Sequence, residues 1–142
     1  EITSKSIEQA RLLLKQTIDD PELFQKWFGQ FATSLDQQSE EHLCEQEEND
    51  EVSFQEFEQL LASGESIERN ALCRFAYIGE DDSIQFFVNG QEKAVVGVGS
   101  GLVQYLCSCR LLKAEPLLDL NLSKTDKLFI YDLCQRNLFH FS

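Results

Sequence analysis

Methionine is absent from these 142 residues, and histidine, tryptophan and positive charge are scarce. With no Met and a start at Glu1, the chain is expected to be a fragment or a processed product. No apolar run approaches the roughly 20 residues of a membrane-spanning helix and no signal-peptide pattern opens the chain, so no membrane partner is expected. Lys and Arg number 12 against 25 Asp and Glu, a net charge of −13. Residues 1–51 hold 4 basic and 13 acidic side chains, and residues 52–142 hold 8 and 12. Neither half offers the basic surface that a phosphate backbone requires, so DNA is not an expected partner. The two histidines, His42 and His140, are not followed two residues on by Asp or Glu. A metal triad or a Cys–His nucleophile pair would have to be built on these two alone, and both read as solvated or packed side chains. The five cysteines, Cys44, Cys73, Cys107, Cys109 and Cys134, are odd in number and contain no C-x-x-C. They read as reduced, mostly buried thiols of a cytoplasmic protein.

What the chain does have is apolar weight: 42% hydrophobic residues, enough for one modest core or two small modules. Its most pronounced stretch is Asp20-Pro21-Glu22-Leu23-Phe24-Gln25-Lys26-Trp27-Phe28-Gly29-Gln30-Phe31, which holds the only Trp and three of the eleven Phe. Asp20 is a helix cap, Pro21 suits the first helical position, and Glu22 complements the helix dipole. At helical spacing Leu23, Phe24, Trp27, Phe28, Phe31 and Leu35 fall in a sector of roughly 140°. Glu22, Gln25, Lys26, Gly29 and Gln30 take the other side. So heavy an aromatic face needs a large apolar partner.

Before it, Ser4 or Ser6 is expected to cap a helix running to about Ile18. Ile7, Ala10, Leu14 and Ile18 make one stripe, Leu13 flanks it, and Leu12 points nearly the opposite way. The two segments read as a helical hairpin needing cover from another domain or a second copy of the chain, or simply from the domain that follows. Residues 36–51 are polar and acidic, a solvated linker or fraying helix end. Ser53 with Glu56 is a capping box opening a helix with Phe54, Phe57, Leu60 and Leu61 on one stripe, stopped at Ser63-Gly64. Strands are expected over 71–78, 84–88 and about 93–98, with Asn89-Gly90 as a tight hairpin turn. A helix around Leu102–Arg110, an apolar connection through Leu122, a helix capped by Ser123 and a short strand at Leu138–Phe141 complete the order. The fold class is α+β: an N-terminal helical hairpin followed by a small winged-helix-like domain.

Two motifs suggest chemistry. Glu45, Glu47, Asn49, Ser53 and Glu56 fall on ligand positions of a calcium loop, with Val52 at the apolar position. Glu45 is long for the first ligand, and Asp50 stands where the sharp turn wants Gly. Gly97-Val98-Gly99-Ser100-Gly101 hints at a phosphate loop but lacks the Gly-Lys-Ser/Thr ending, and reads as a strand-to-helix turn.

The stretch Pro21 to Phe31 resembles the segment just after the catalytic domain of bacterial cupin-type (JmjC-like) 2-oxoglutarate- and Fe(II)-dependent ribosomal oxygenases, which hydroxylate an arginine of a large-subunit ribosomal protein. Ser53 to Gly64, Ile67 to Asn89-Gly90-Gln91-Glu92-Lys93, and Leu133 to Phe141 are similar to the family's order of helix, strands, last helix and aromatic tail. The likeness runs from about Ile18 to Ser142. It implies a helical dimerisation module over 1–38, an acidic linker over 39–51 and an acidic winged-helix-like domain over 52–142. It further implies that Fe(II) and 2-oxoglutarate are bound by a jelly-roll domain upstream, through a His-x-Asp and a distant His. Since no His-x-Asp occurs here, no catalytic, cofactor-binding or metal residue is carried over. The expected function is the non-catalytic part of a ribosomal-protein hydroxylase. Its expected partners are a second copy, through Leu12, Leu13, Phe24, Trp27, Phe28 and Phe31, and a basic ribosomal protein steered by the acidic surface. The alternatives are a regulatory winged-helix interaction module and a single calcium-binding loop.

Overall fold

A computed structural model describes residues 1–45 and 52–141. Three helices come first: α1 (Ser4–Asp19), α2 (Pro21–Thr33) and α3 (Gln37–Glu45). α1 is capped one residue earlier than the sequence suggests, because the Thr3 hydroxyl, not Ser4 or Ser6, accepts from the Ser6 N–H. Asp20 caps α2 as expected, accepting from the N–H groups of Glu22 and Leu23 at 3.0 and 3.3 Å. The acidic stretch after residue 36 is helical as far as residue 45. The Asp36 carboxylate accepts from Ser39 N at 2.7 Å and so opens α3.

The remainder is a mixed α+β unit. Helix α4 (Phe54–Ala62) opens with the expected capping box. The strands are β1 (Ile67–Arg69), β2 (Phe75–Ile78), β3 (Gln85–Val88), β4 (Gln91–Lys93), β5 (Leu111–Leu112) and β6 (Phe139–Phe141). The helices are α5 (Ser100–Ser108), α6 (Ala114–Leu118) and α7 (Lys124–Gln135). Two antiparallel sheets form, in the orders β5-β1-β6 and β2-β3-β4. In the first, Ile67 lies opposite both Leu112 and Phe141. In the second, Phe75 faces Val88 and Phe86 faces Lys93.

Several expected boundaries move. The strand expected over 71–78 begins only at Phe75, because 71–74 turn, with Cys73 N bonded to Asn70 O. The strand expected near 93–98 ends at Lys93. Val98 N bonds back to Val95 O, and Gly97 takes a left-handed φ of 78°, which turns the chain out of the sheet. The helix expected through Arg110 stops at Ser108, and Leu111–Leu112 pair with β1 instead. Part of the apolar connection is the short helix α6. The Asn89-Gly90 turn stands as read: both residues have positive φ, 49° and 87°, as a type I′ hairpin requires.

The core lies between the sheets and helices α4, α5 and α7. Phe57, Ile67, Phe86, Leu106, Ile130, Leu133 and Phe139 are fully buried there. Edge-on rings link its parts, Phe75 contacting both Phe86 and Phe139 with centroids 5.4 and 5.2 Å apart.

Candidate functional site

Among the described residues, the outer face of α2 is an exposed and strongly aromatic surface. Cap, proline and dipole signals start this helix at the expected residue, and 3.6-residue periodicity then gathers its rings. Trp27 and Phe31 stack with centroids 5.3 Å apart and planes at 13°. Phe24 lies 5.8 Å from Trp27 and 6.4 Å from Phe28, so four rings form one continuous row. The row faces outward: Trp27 is 47% exposed and Phe31 63%.

The helix meets the rest of the protein with the side that reads as polar. Gly29 and Thr33 are its buried residues. Gly29 lies so close to the Phe87 ring that a Cβ there would sit 2.3 Å from it. The Thr33 hydroxyl donates to Gly29 O at 2.9 Å and accepts from Gly90 N at 2.9 Å, joining the helix to the β3–β4 turn. Arg74 donates to Ser34 O at 3.0 Å, a second tie. The smallest residue on the helix thus allows a close approach to the sheet, and the hairpin glycine supplies the hydrogen bond. Leu12 and Leu13 are more than half exposed on α1, as are Ile7, Leu14 and Ile18, and α1 buries no residue. Of the six residues expected at an interface, the structure gathers Phe24, Trp27, Phe28 and Phe31 in one row. It leaves Leu12 and Leu13 exposed on the adjoining helix. The role of Gly29 and Thr33 was not read from the sequence. A glycine in mid-helix was the available signal.

The other candidate motifs are absorbed by structure. Gly99 caps α5, and its N–H donates to the Asp126 carboxylate at 2.9 Å, so an acid of α7 occupies the place a phosphate would take. The same carboxylate accepts from Ser123 N at 2.9 Å, closing the cap of α7. Half of the calcium-loop pattern, residues 46–51 with Glu47 and Asn49, lies outside the described residues. Of its remaining positions, Ser53 Oγ accepts from Glu56 N and Glu56 Oε2 from Ser53 N, so two would-be ligands serve the α4 cap. His140 lies 3.6 Å from Glu68 across β6 and β1. Among the described residues no three His, Cys, Asp or Glu are placed to hold a metal ion, so this donor set does not fit an iron site. Burial pushes the Cys107 and Cys134 thiols up to about 12, and it raises Cys73 against an opposing bond from Asn89. Such thiols stay protonated and are poor nucleophiles. None of the four described cysteines is in a disulfide.

Against known proteins, residues 16–139 match the model of the ROXA-like winged helix. No curated protein matches the sequence. Among solved structures, that of Escherichia coli YcfD superposes with a TM-score of 0.66 at 20% identity. That match covers all of this chain and 36% of the other. The Escherichia coli ribosomal oxygenase YcfD in complex with cobalt and succinic acid gives the same score and identity over 37% of its chain. The complex with cobalt and 2-oxoglutarate scores 0.62. The chain therefore spans little more than a third of the length of the solved structures it resembles.

Proposed function

The chain belongs to the ROXA-like winged-helix family, and on that premise we propose that it is the C-terminal, non-catalytic part of a 2-oxoglutarate- and Fe(II)-dependent ribosomal-protein hydroxylase. In this reading it joins two copies of the parent and helps present a basic ribosomal protein. The iron and the 2-oxoglutarate belong to residues outside this sequence, and no step of the oxidation is assigned to a side chain described above. The two copies meet through the aromatic row of α2, with Leu12 and Leu13 beside it.

The observation that carries the dimer is the outward row of Phe24, Trp27, Phe28 and Phe31 on a helix whose opposite face is already docked. Exposed aromatics in a contiguous row are the composition of an interface core, where Trp and Phe are enriched. Burying them would remove apolar surface at about 25 cal/mol per Å². The acidic composition, −13 overall, supports a basic partner and argues against the regulatory reading in which the winged helix binds duplex DNA.

Analytical ultracentrifugation of the 142-residue chain tests the dimer. A dimer is expected at micromolar concentration, with Trp27 fluorescence blue-shifted relative to the monomeric variant Phe28→Glu/Phe31→Glu, which keeps the one indole as reporter. A monomer at that concentration with a solvent-exposed indole overturns the reading. Both substituted side chains lie on the surface of the protomer, so the variant is expected to keep its fold.

A further inference from the structure

At the end of the β3–β4 hairpin opposite the Asn89-Gly90 turn, the surface opens into a groove of about 690 Å³. Two turns form its sides. One is the single 3-10 turn Asp81–Ser83, entered through Gly79 (φ 93°) and Asp81 (φ 48°). The other is the Val95–Val98 turn that carries the chain out of β4. Ile84, Val95 and Val96 supply apolar lining, and Val96 is 92% exposed. Asp81, Asp82 and Glu92 supply carboxylates, and among the described residues none of the three is in an ion pair. Glu92 accepts only a neutral bond, from Gln85 Nε2 at 3.3 Å. The groove's one cation, Lys93, is committed to Asp132, 2.5 Å from its Nζ. The lining therefore combines apolar side chains with three carboxylates outside any ion pair, and the charge of Lys93 is neutralised by Asp132.

We propose that this groove docks an extended cationic peptide segment, with Lys or Arg side chains on Asp81, Asp82 and Glu92 and an intervening aliphatic side chain against Val96. The volume is that of a ligand-sized cleft. Charge complementarity selects the occupant: an acidic or phosphorylated segment would meet three like charges, and a purely apolar one would leave them stripped of water. The uncovered Val96 gives such a segment something to bury beyond charge. The inference deepens the basic-partner reading above by naming its surface, and it is independent of the dimer.

The test is fluorescence anisotropy of the 142-residue chain with a labelled synthetic peptide of Arg and Lys around a central Leu. Controls are the same peptide with Gln for each cation and with Gly for Leu. The variant Asp81→Asn/Asp82→Asn/Glu92→Gln is compared with Glu8→Gln/Asp19→Asn/Glu65→Gln, which removes the same charge from exposed sites elsewhere. Asn accepts the positive φ at position 81, so the fold is expected to survive, as circular dichroism would register. The groove variant is expected to weaken the cationic peptide about tenfold, and the control variant less than about twofold. Val96→Ser is expected to weaken the Leu peptide and leave the Gly peptide unchanged. Equal losses in the two triple variants mean diffuse charge attraction; they overturn the groove and leave the basic-partner reading standing. No binding by the unaltered chain overturns both.

Discussion

Gly29 sets how the helical part meets the sheet. It sits under the Phe87 ring, which is fully buried and has nowhere to retreat. Gly29→Ala raises helix propensity by about 1 kcal/mol but forces a methyl into ring carbons. The expected net result is destabilisation of about 1–2 kcal/mol, measured as a lower denaturation midpoint. A neutral or stabilising result would mean that the ring moves freely. The aromatic sector of α2 was legible because periodicity alone fixes which side chains share a face. That the opposite side is the docked one was not legible. Gly29 and Gln30 look solvent-facing until Phe87 and Gly90, far along the chain, are seen to lie against them. Local pattern records which residues lie together and is silent on what distant segment they meet.

Among the elements, those with chemical punctuation were readable: α2 from Asp20-Pro21, α4 from Ser53 and Glu56, α7 from Ser123, and the hairpin from Asn89-Gly90. The strands β1 and β5 were not, since three and two residues give no period and exist only through their pairing with each other and with β6. An ion pair adds to the ring contact of Phe129 with Phe86 in tying α7 to the second sheet. Lys93 of β4 reaches Asp132, which Arg136 also contacts at 3.1 Å. Burial works to raise the Asp132 carboxyl, but the hydrogen bond and charge of Lys93, helped by Arg136, outweigh it and hold it below the ordinary 3.8. A depressed folded value means that the pair stabilises above about 3.8 and that this is lost as the pH falls through the lower folded value. Asp132→Asn is therefore expected to lower Tm by a few degrees at neutral pH, with the gap to the unaltered chain closing in strong acid. A gap that stays constant with pH would assign the loss to packing.

For the whole molecule, charge opposes self-association while the aromatic row favours it. Two chains of −13 repel, and salt screens that repulsion over about 8–10 Å. The proposed dimer is expected to tighten as salt rises from low to physiological concentration, read by sedimentation equilibrium. Weakening with salt would mean that ion pairs, not rings, hold the copies together. The groove on the hairpin is expected to respond in the opposite sense, its cationic peptide releasing as salt rises, so one titration separates the two surfaces.

Because Gly29 and Thr33 anchor α2 by backbone proximity and one hydroxyl, the helix has no rotational choice left when an apolar neighbour arrives. Its rings are presented in advance at fixed spacing, like a template cut before use. Whatever settles on that row has little ordering entropy to overcome on this side of the contact, and its register is set by the hairpin beneath.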